Sequence, residues 1–465
     1  MKDEKVRRYV DENFDEMVSA LSGLIRIPSV LDENARSGEH PFGPHVTEAL
    51  GKFLSAASGL GFCTKNIDNM VGYAEAGEGP LIGILAHLDV MPPGAAANWK
   101  YPPFEAIVAD GRLYGRGASD DKGPAVSALY AMKALMDAGV PLRKRFRLIA
   151  GLDEESGFRC IERYKKTEET PEMSFSPDAI FPVVNGEKGI IHFVLRRRIS
   201  NPDAMGLPLL ADIRGGDRFN IVPDELKVFF RKASAANLEA VLTPYGGTTE
   251  NTGSGVLVIF KGQSAHAMEP WKGENAIQKF LAAVPCLDFG PPEVHMALIG
   301  LISLAGSGSD GKGFGIASSD EVSGPLSCSM AAISFDEGVL SVKFDVRYPV
   351  TSDGKTIEAD IVSSAAEAGW EADIRRHSRP LFVPPESALV KTLLDAYGSV
   401  TGERGHPVCI GGGTYSKALP NAVSFGALFP GEEETAHQPN EYVDLESFRR
   451  MTLIYAEALC MLNDL

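Results

Sequence analysis

Short apolar runs alternating with helical stretches restrict this chain more than any other feature. LIGILAHLDV, residues 81–90, reads as a buried strand. A helix is expected from about Lys122 to Ala138, stopped by Gly139 and Pro141. RFRLIAGLDEE, residues 145–155, is another short apolar strand that ends in three carboxylates. This order predicts an α/β domain with a mixed, largely parallel sheet and helices on both faces. Ahead of it, Val6, Val10, Phe14, Met17, Leu21 and Leu24 recur at helical spacing, so one amphipathic helix is expected over residues 4–26.

The texture changes after about Gly186. Leu340, Val342, Phe344 and Val346 alternate with Ser341, Lys343, Asp345 and Arg347, the period of two that marks a sheet with one polar face. Helical stretches near 274–284 and 356–368 would cover the other face of an α+β insert. Gly-rich segments 246–255 and 306–315 read as loops. Near Leu381 the first texture returns, with a helix over 387–397, a strand over 422–429 and a closing helix from about 445. The insert therefore interrupts one domain, and the boundaries fall at 1–186, 187–379 and 380–465.

A formal charge of -17 argues against nucleic acid or an anionic membrane as the main partner, since both favour basic surfaces. Six scattered cysteines without a C-x-x-C pair form neither a disulfide framework nor a thiolate zinc site. No stretch approaches 18 uninterrupted apolar residues, and the charged start MKDEKVRRYVDENFDEM lacks a signal-peptide core. A cytoplasmic location is expected.

Ligands of open α/β sheets collect beyond the carboxyl ends of the strands, and those ends are unusual here. His87 and Asp89 close one strand; two residues apart in an extended chain, their side chains share a face. GRGASDDKGP places Asp120 and Asp121 just before a helix, where an N-cap is the ordinary role of an Asp. GLDEESG supplies Asp153, Glu154 and Glu155, SPDAIFP supplies Asp178, and TAHQPNEY supplies His437. Singly, each suits a solvated loop. Together, two histidines and several carboxylates offer the nitrogen and oxygen ligands of zinc, cobalt or manganese. A pair of divalent ions within ~4 Å needs a bridging carboxylate and further ligands on each side. Of Glu154 and Glu155, one can bind metal and the other handle protons. Asp89 is placed to accept the free N–H of the His87 ring and fix its tautomer.

HLDVMPPG, GRGASDDKGP, DEESG, SPDAIFPVVNGEKG, GQSAHAMEP, GGGTY and AHQPNEY, in this order from residue 87 to 442, resemble the co-catalytic dizinc metallopeptidase superfamily. That superfamily includes aminoacylases, carboxypeptidase G-type enzymes and succinyl-diaminopimelate desuccinylase. The nearest likeness is to its dipeptidase branch, the peptidase V-like and Xaa-His dipeptidases. The resemblance implies a catalytic domain split by a lid, and two divalent ions, zinc foremost with manganese or cobalt as substitutes. His87 and Asp178 would hold one ion, Glu155 and His437 the other, and Asp120 would bridge them. The metals would lower the pKa of a bridging water, Glu154 would be the general base, and Asp89 would stand behind His87. Asp121 and Asp153 remain supporting residues.

From the lid, the resemblance assigns His266 and Asn220 to the developing oxyanion. It assigns Arg347 in FDVRYP to the substrate's C-terminal carboxylate, a group its guanidinium fork suits. Gly413 in GGGTY would give substrate close access to the backbone; the Ser416-Lys417 that follows departs from the Arg more often found near this motif. The implied function is hydrolysis of unblocked dipeptides. An N-acyl-amino-acid deacylase or desuccinylase would use the same centre, and a metal-stabilised peptide-binding protein without turnover is a third reading. The insert, 187–379, is nearly twice a compact unit of ~100 residues, so two α+β subdomains are expected. The second would take the place of a partner's lid, leaving an active monomer that closes over small peptides, with no nucleic-acid or membrane partner.

Overall fold

The computed structural model describes residues 4–199, 208–306 and 308–465. Residues 1–186, 382–409 and 413–465 form one compact unit, and residues 187–381 with 410–412 form another.

The first unit opens with two helices where the periodicity predicts one: α1 (Glu4–Glu12) and α2 (Phe14–Ile25). Asn13 divides them. Its side-chain amide and its own N–H both donate to the Tyr9 carbonyl, at 2.8 and 3.0 Å, the local competition that makes Asn a poor interior helix residue. After α3 (Pro44–Gly59) come β1 (Cys63–Ile67), β2 (Val71–Ala76) and β3 (Leu81–His87). Every residue of β3 is buried. Each fully buried Leu or Ile there contributes roughly 1.5–3 kcal/mol, so apolar packing adds to the strand's pairing on both sides in anchoring the segment that bears His87. The order continues with α4 (Lys122–Asp137), β4 (Arg145–Gly151), α5 (Arg159–Thr167), β5 (Met173–Ser176) and β6 (Val183–Glu187).

The second unit contains β7 (Gly189–Arg198), β8 (Leu209–Gly215), β9 (Glu225–Arg231), β10 (Gly247–Thr252), β11 (Gly255–Lys261), β12 (Ser327–Asp336), β13 (Val339–Tyr348) and β14 (Glu371–Ser378). They form one continuous sheet in the order β10-β11-β9-β8-β12-β13-β7-β14, antiparallel at each pairing. Helices α6 (Ala235–Leu242), α7 (Ala276–Ala283), α8 (Pro292–Ala305) and α9 (Gly354–Glu367) bury their apolar residues against it. Segment 246–255, expected as a loop, instead supplies most of a β-hairpin, β10 and β11. Its threonines suit an edge strand whose side chains are largely exposed. On β13 the alternation holds, with Leu340, Val342, Phe344 and Val346 in the core. Its polar face is not uniformly wet: Asp345 and Arg347 are buried as well.

Back in the first unit, α10 (Ala388–Thr401), β15 (Ala422–Ser424) and α11 (Leu445–Asn463) complete the fold. The sheet path runs β1-β2-β4-β3-β5-β15-β6. The β4-β3-β5-β15 centre is parallel and the flanking pairs are antiparallel. The strand expected over 422–429 breaks at Gly426, where φ is +84° and a Cβ would strike the Phe181 ring. Helix α4 is buried almost throughout and packs against both the sheet and α11. Its small residues permit this, and Ser127 Oγ meets Thr452 Oγ1 of α11 at 2.8 Å. Among the described residues, no helix is long and apolar enough to cross a membrane.

Candidate metal centre

The parallel order of β4, β3 and β5 brings three strand ends, and the chemistry of the segments that follow them, to one edge of the first unit's sheet. His87 is fully buried at the end of β3. Its Nδ1 donates to the Asp89 main-chain carbonyl at 2.9 Å, which fixes the ring with Nε2 directed at Asp120. Asp89 thus fixes the imidazole through its carbonyl; its carboxylate lies 3.6 Å from Nδ1. That carboxylate accepts the amides of Glu154 and Glu155 instead, at 3.2 and 3.1 Å, tying the β4 exit to the β3 exit.

Asp120 sits between the two histidines. Its Oδ1 is 2.9 Å from His87 Nε2 and its Oδ2 is 2.9 Å from His437 Nε2. His437 Nε2 is also 3.0 Å from Glu155 Oε1, and Asp178 Oδ2 is 3.8 Å from His87 Nε2. Ligand atoms of His87, Glu154 and Asp178 lie within 4.8 Å of one another, as do those of Asp120, Glu155 and His437. Asp121 occupies the N-cap position of α4, yet its side chain does not cap. Its carboxylate accepts the His87 amide at 2.9 Å. Asp153 is bound by Arg159 through Nε and Nη2, at 2.7 and 2.8 Å.

The donor set calls for cations. Four carboxylates, those of Asp120, Glu154, Glu155 and Asp178, meet in a largely buried space. Among the described residues, no Lys or Arg pairs with any of them within 4.0 Å; only histidines do. Uncompensated buried charge is costly. Burial pushes the Asp178 carboxyl up to about 7, aided by the Asp120 charge, and pushes Glu154 well above the usual range. Burial opposes the His437 cation, but Asp120 and Glu155 outweigh it and raise that pKa to about 11. Two nitrogens and four carboxylates fit a pair of divalent ions of the zinc, manganese or cobalt type.

Glu441, Arg116 and Tyr415 belong to this region and are passed over in the sequence reading. Glu441 Oε1 accepts from the amides of Gly117, Ser119 and Asp120 and from Ser119 Oγ, at 3.0–3.3 Å. Its Oε2 accepts from Arg116 Nη1 at 2.5 Å. The buried pair therefore fixes the turn that presents Asp120. The available signal was an acidic residue four positions after His437 in AHQPNEY. Tyr415 is fully buried, its ring edge-on to His87 with centroids 6.2 Å apart. A Cβ on Gly151 would collide with its hydroxyl, which explains the glycine at the end of β4.

Of the remaining sequence-predicted residues, Gly413 belongs to the first unit and is exposed, and Asn220, His266 and Arg347 belong to the second. In the second unit, Asn220 and His266 are neighbours. The Asn220 carbonyl accepts the Ala267 amide at 2.9 Å, and Ile221 bridges His266. His266 Nδ1 accepts the Met268 amide at 3.1 Å. Arg347 donates from Nε and Nη2 to both oxygens of Asp345, at 2.7 and 2.8 Å, and from Nη1 to the Gly411 carbonyl at 2.8 Å.

Residues 83–460 match the model of peptidase family M20/M25/M40. A Bacillus subtilis (strain 168) protein named "Putative dipeptidase YtjP" is 37% identical over 456 residues, covering 96% of each chain. Among solved structures, human carnosine dipeptidase 1 aligns with a TM-score of 0.61 at 16% identity, over 99% of both chains. The di-peptidase Dug1p of Saccharomyces cerevisiae aligns with a TM-score of 0.60 at 16% identity, over 99% of this chain and 98% of that one. At such identities these two establish likeness of fold, while the family match spans most of the sequence. The chain belongs to peptidase family M20/M25/M40 and is an enzyme of peptide-bond hydrolysis.

Proposed function

We propose that this enzyme is a dinuclear metallodipeptidase that hydrolyses unblocked dipeptides. The observation that carries the metal assignment is the Asp120 carboxylate, one oxygen turned to His87 and the other to His437. His87 and Asp178 would hold one ion, Glu155 and His437 the other, with Asp120 shared. Bound divalent ions supply Lewis acidity, which activates water and polarises the scissile carbonyl.

Glu154 has the proton-handling role. Its carboxyl lies close enough to His87 and Asp178 to serve as a ligand on geometry alone, so the assignment rests on its place as first glutamate of DEESG. It takes a proton from the attacking water at a carboxylate oxygen and returns it to the leaving amine. Because its Nδ1 accepts the Met268 amide, a neutral His266 ring keeps its proton on Nε2. That tautomer can donate to an oxyanion, a task shared with Asn220. Arg347, fixed by Asp345, receives the free carboxylate of the substrate, and the Gly413 segment lies against the peptide. The dipeptidase names of the relatives support the short-substrate reading.

The length of the second unit, which runs over residues 187–381 and is nearly twice a compact unit of ~100 residues, supports a chain that needs no second copy for catalysis. The substrate assignment is tested by parallel hydrolysis of one dipeptide series, unblocked and N-acetylated. Preference for the unblocked series is expected. Preference for the acetylated series would make the enzyme an N-acyl-amino-acid deacylase.

A further inference from the structure

His192 lies on β7 directly across from Asp345 on β13. Its Nε2 is 2.9 Å from Asp345 Oδ2, the oxygen that also accepts Arg347 Nη2. The other side of the ring is occupied too. Phe219 stacks on His192 with centroids 4.6 Å apart and planes 4° from parallel, and the Lys343 ammonium stands 5.4 Å from the Phe219 ring. Lys343 also donates to the Asp217 carbonyl at 2.8 Å. The loop 217–220 is thus pinned at Asp217 and Phe219, and Asn220 follows immediately.

We infer that His192 and Asp345 are positioning residues for substrate recognition, and that the His192 ring sets both the Arg347 guanidinium and the loop carrying Asn220. This rests on the reading of Arg347 as the carboxylate-binding residue. The physical argument is one of degrees of freedom. Arginine loses several rotatable bonds when it is held in one pose, and a fork that is already fixed binds a planar carboxylate at lower entropic cost. Asp345 fixes the fork along its Nε–Nη2 edge. His192 restrains Asp345, whose second oxygen would otherwise hold the arginine alone. Stacking extends that restraint to Phe219, so the carboxylate-binding residue and the proposed oxyanion donor Asn220 share one support.

Three variants separate the two arms. His192→Phe keeps a flat ring against Phe219 but removes the bond to Asp345. His192→Gln restores an N–H donor near the position of Nε2, and Phe219→Leu removes the stack alone. Each is assayed on a dipeptide and its C-terminal amide, with thermal melting as a check on folding. For His192→Phe we expect KM for the free acid to rise roughly tenfold, the scale of a lost hydrogen bond to a charged group. Its kcat should be nearly unchanged and its preference for the acid over the amide reduced. His192→Gln should recover most of that preference, and Phe219→Leu should lower kcat more than it raises KM. If His192→Phe does not fold, His192→Asn, whose amide is too short to reach Asp345, takes its place. Unchanged acid-over-amide preference in a folded variant lacking the bond would overturn the inference. A wild type that does not distinguish acid from amide would instead overturn the reading of Arg347, and this inference with it.

Discussion

Replacing Glu441 by Gln changes one atom and should be among the most damaging substitutions in the first unit. The amide oxygen of Gln can keep the four bonds now accepted by Oε1 from Gly117, Ser119 and Asp120. The amide nitrogen would then face Arg116 Nη1, where Oε2 now accepts at 2.5 Å, and two donors would oppose each other. Arg116 is 1% exposed and Glu441 fully buried, so water cannot replace the lost partner. Breaking a buried pair on one side costs about 3–5 kcal/mol. Urea unfolding of metal-free Glu441→Gln, with Arg116→Met and the double variant beside it, measures that cost and the coupling between the two residues. We expect each single variant to lose about 3–5 kcal/mol and the double variant to lose much less than their sum. Since the same turn presents Asp120, metal affinity of Glu441→Gln should fall as well. A loss below about 1 kcal/mol with unchanged metal affinity would refute the reasoning.

Three further outcomes are expected. Arg347→Ala should impair dipeptides with a free carboxylate by about 2–5 kcal/mol of transition-state stabilisation, while C-terminal amides, already poor for wild type, should change little; equal losses on both would reject the assignment. Burial opposes the Asp345 charge, but Arg347 and His192 outweigh it and hold its carboxyl down at about 2 against an ordinary 3.8. A depressed pKa stabilises the fold above the unfolded value and is lost as pH falls from about 4 towards 2. Wild type should therefore lose up to about 2 kcal/mol relative to Asp345→Asn over that window, and a constant gap in urea midpoints would contradict the ion pair. On the proposal that each chain serves its own site, mixing inactive His266→Ala with inactive Glu154→Ala should restore no activity; recovery together with a dimeric mass would show shared sites.

The periodic elements were legible because their signal is local. The buried run ending in His87, the helix after Asp121 and the alternation along β13 can each be read within a few residues. The residues His87, Asp120, Glu155, Asp178 and His437 could be proposed as ligands from sequence because strand ends collect ligands and their motifs are distinctive, and the fold gathers their ligand atoms, with those of Glu154, into two close groups. What escaped depends on distant partners or on side-chain competition. Glu441 satisfies groups more than 320 residues away, so nothing beside it announces a buried ion pair. Asn13 breaks a good helical pattern through one side-chain bond. Asp345 and Arg347 look like solvated positions of an amphipathic strand, and their burial becomes apparent only once His192 is aligned across the sheet.

Metal reconstitution tests the central claim most directly. Wild type, Glu154→Gln and Glu155→Gln would be stripped with a chelator and then titrated with Zn²⁺, Mn²⁺ or Co²⁺. Bound metal and hydrolysis of an unblocked dipeptide would be recorded at each step. We predict that wild type binds two ions per chain as turnover appears. Glu154→Gln should bind two ions without useful turnover, and Glu155→Gln should hold one of them poorly. Full turnover by the stripped wild type, or equal loss of metal from the two glutamine variants, would contradict a dinuclear centre in which Glu154 carries the proton.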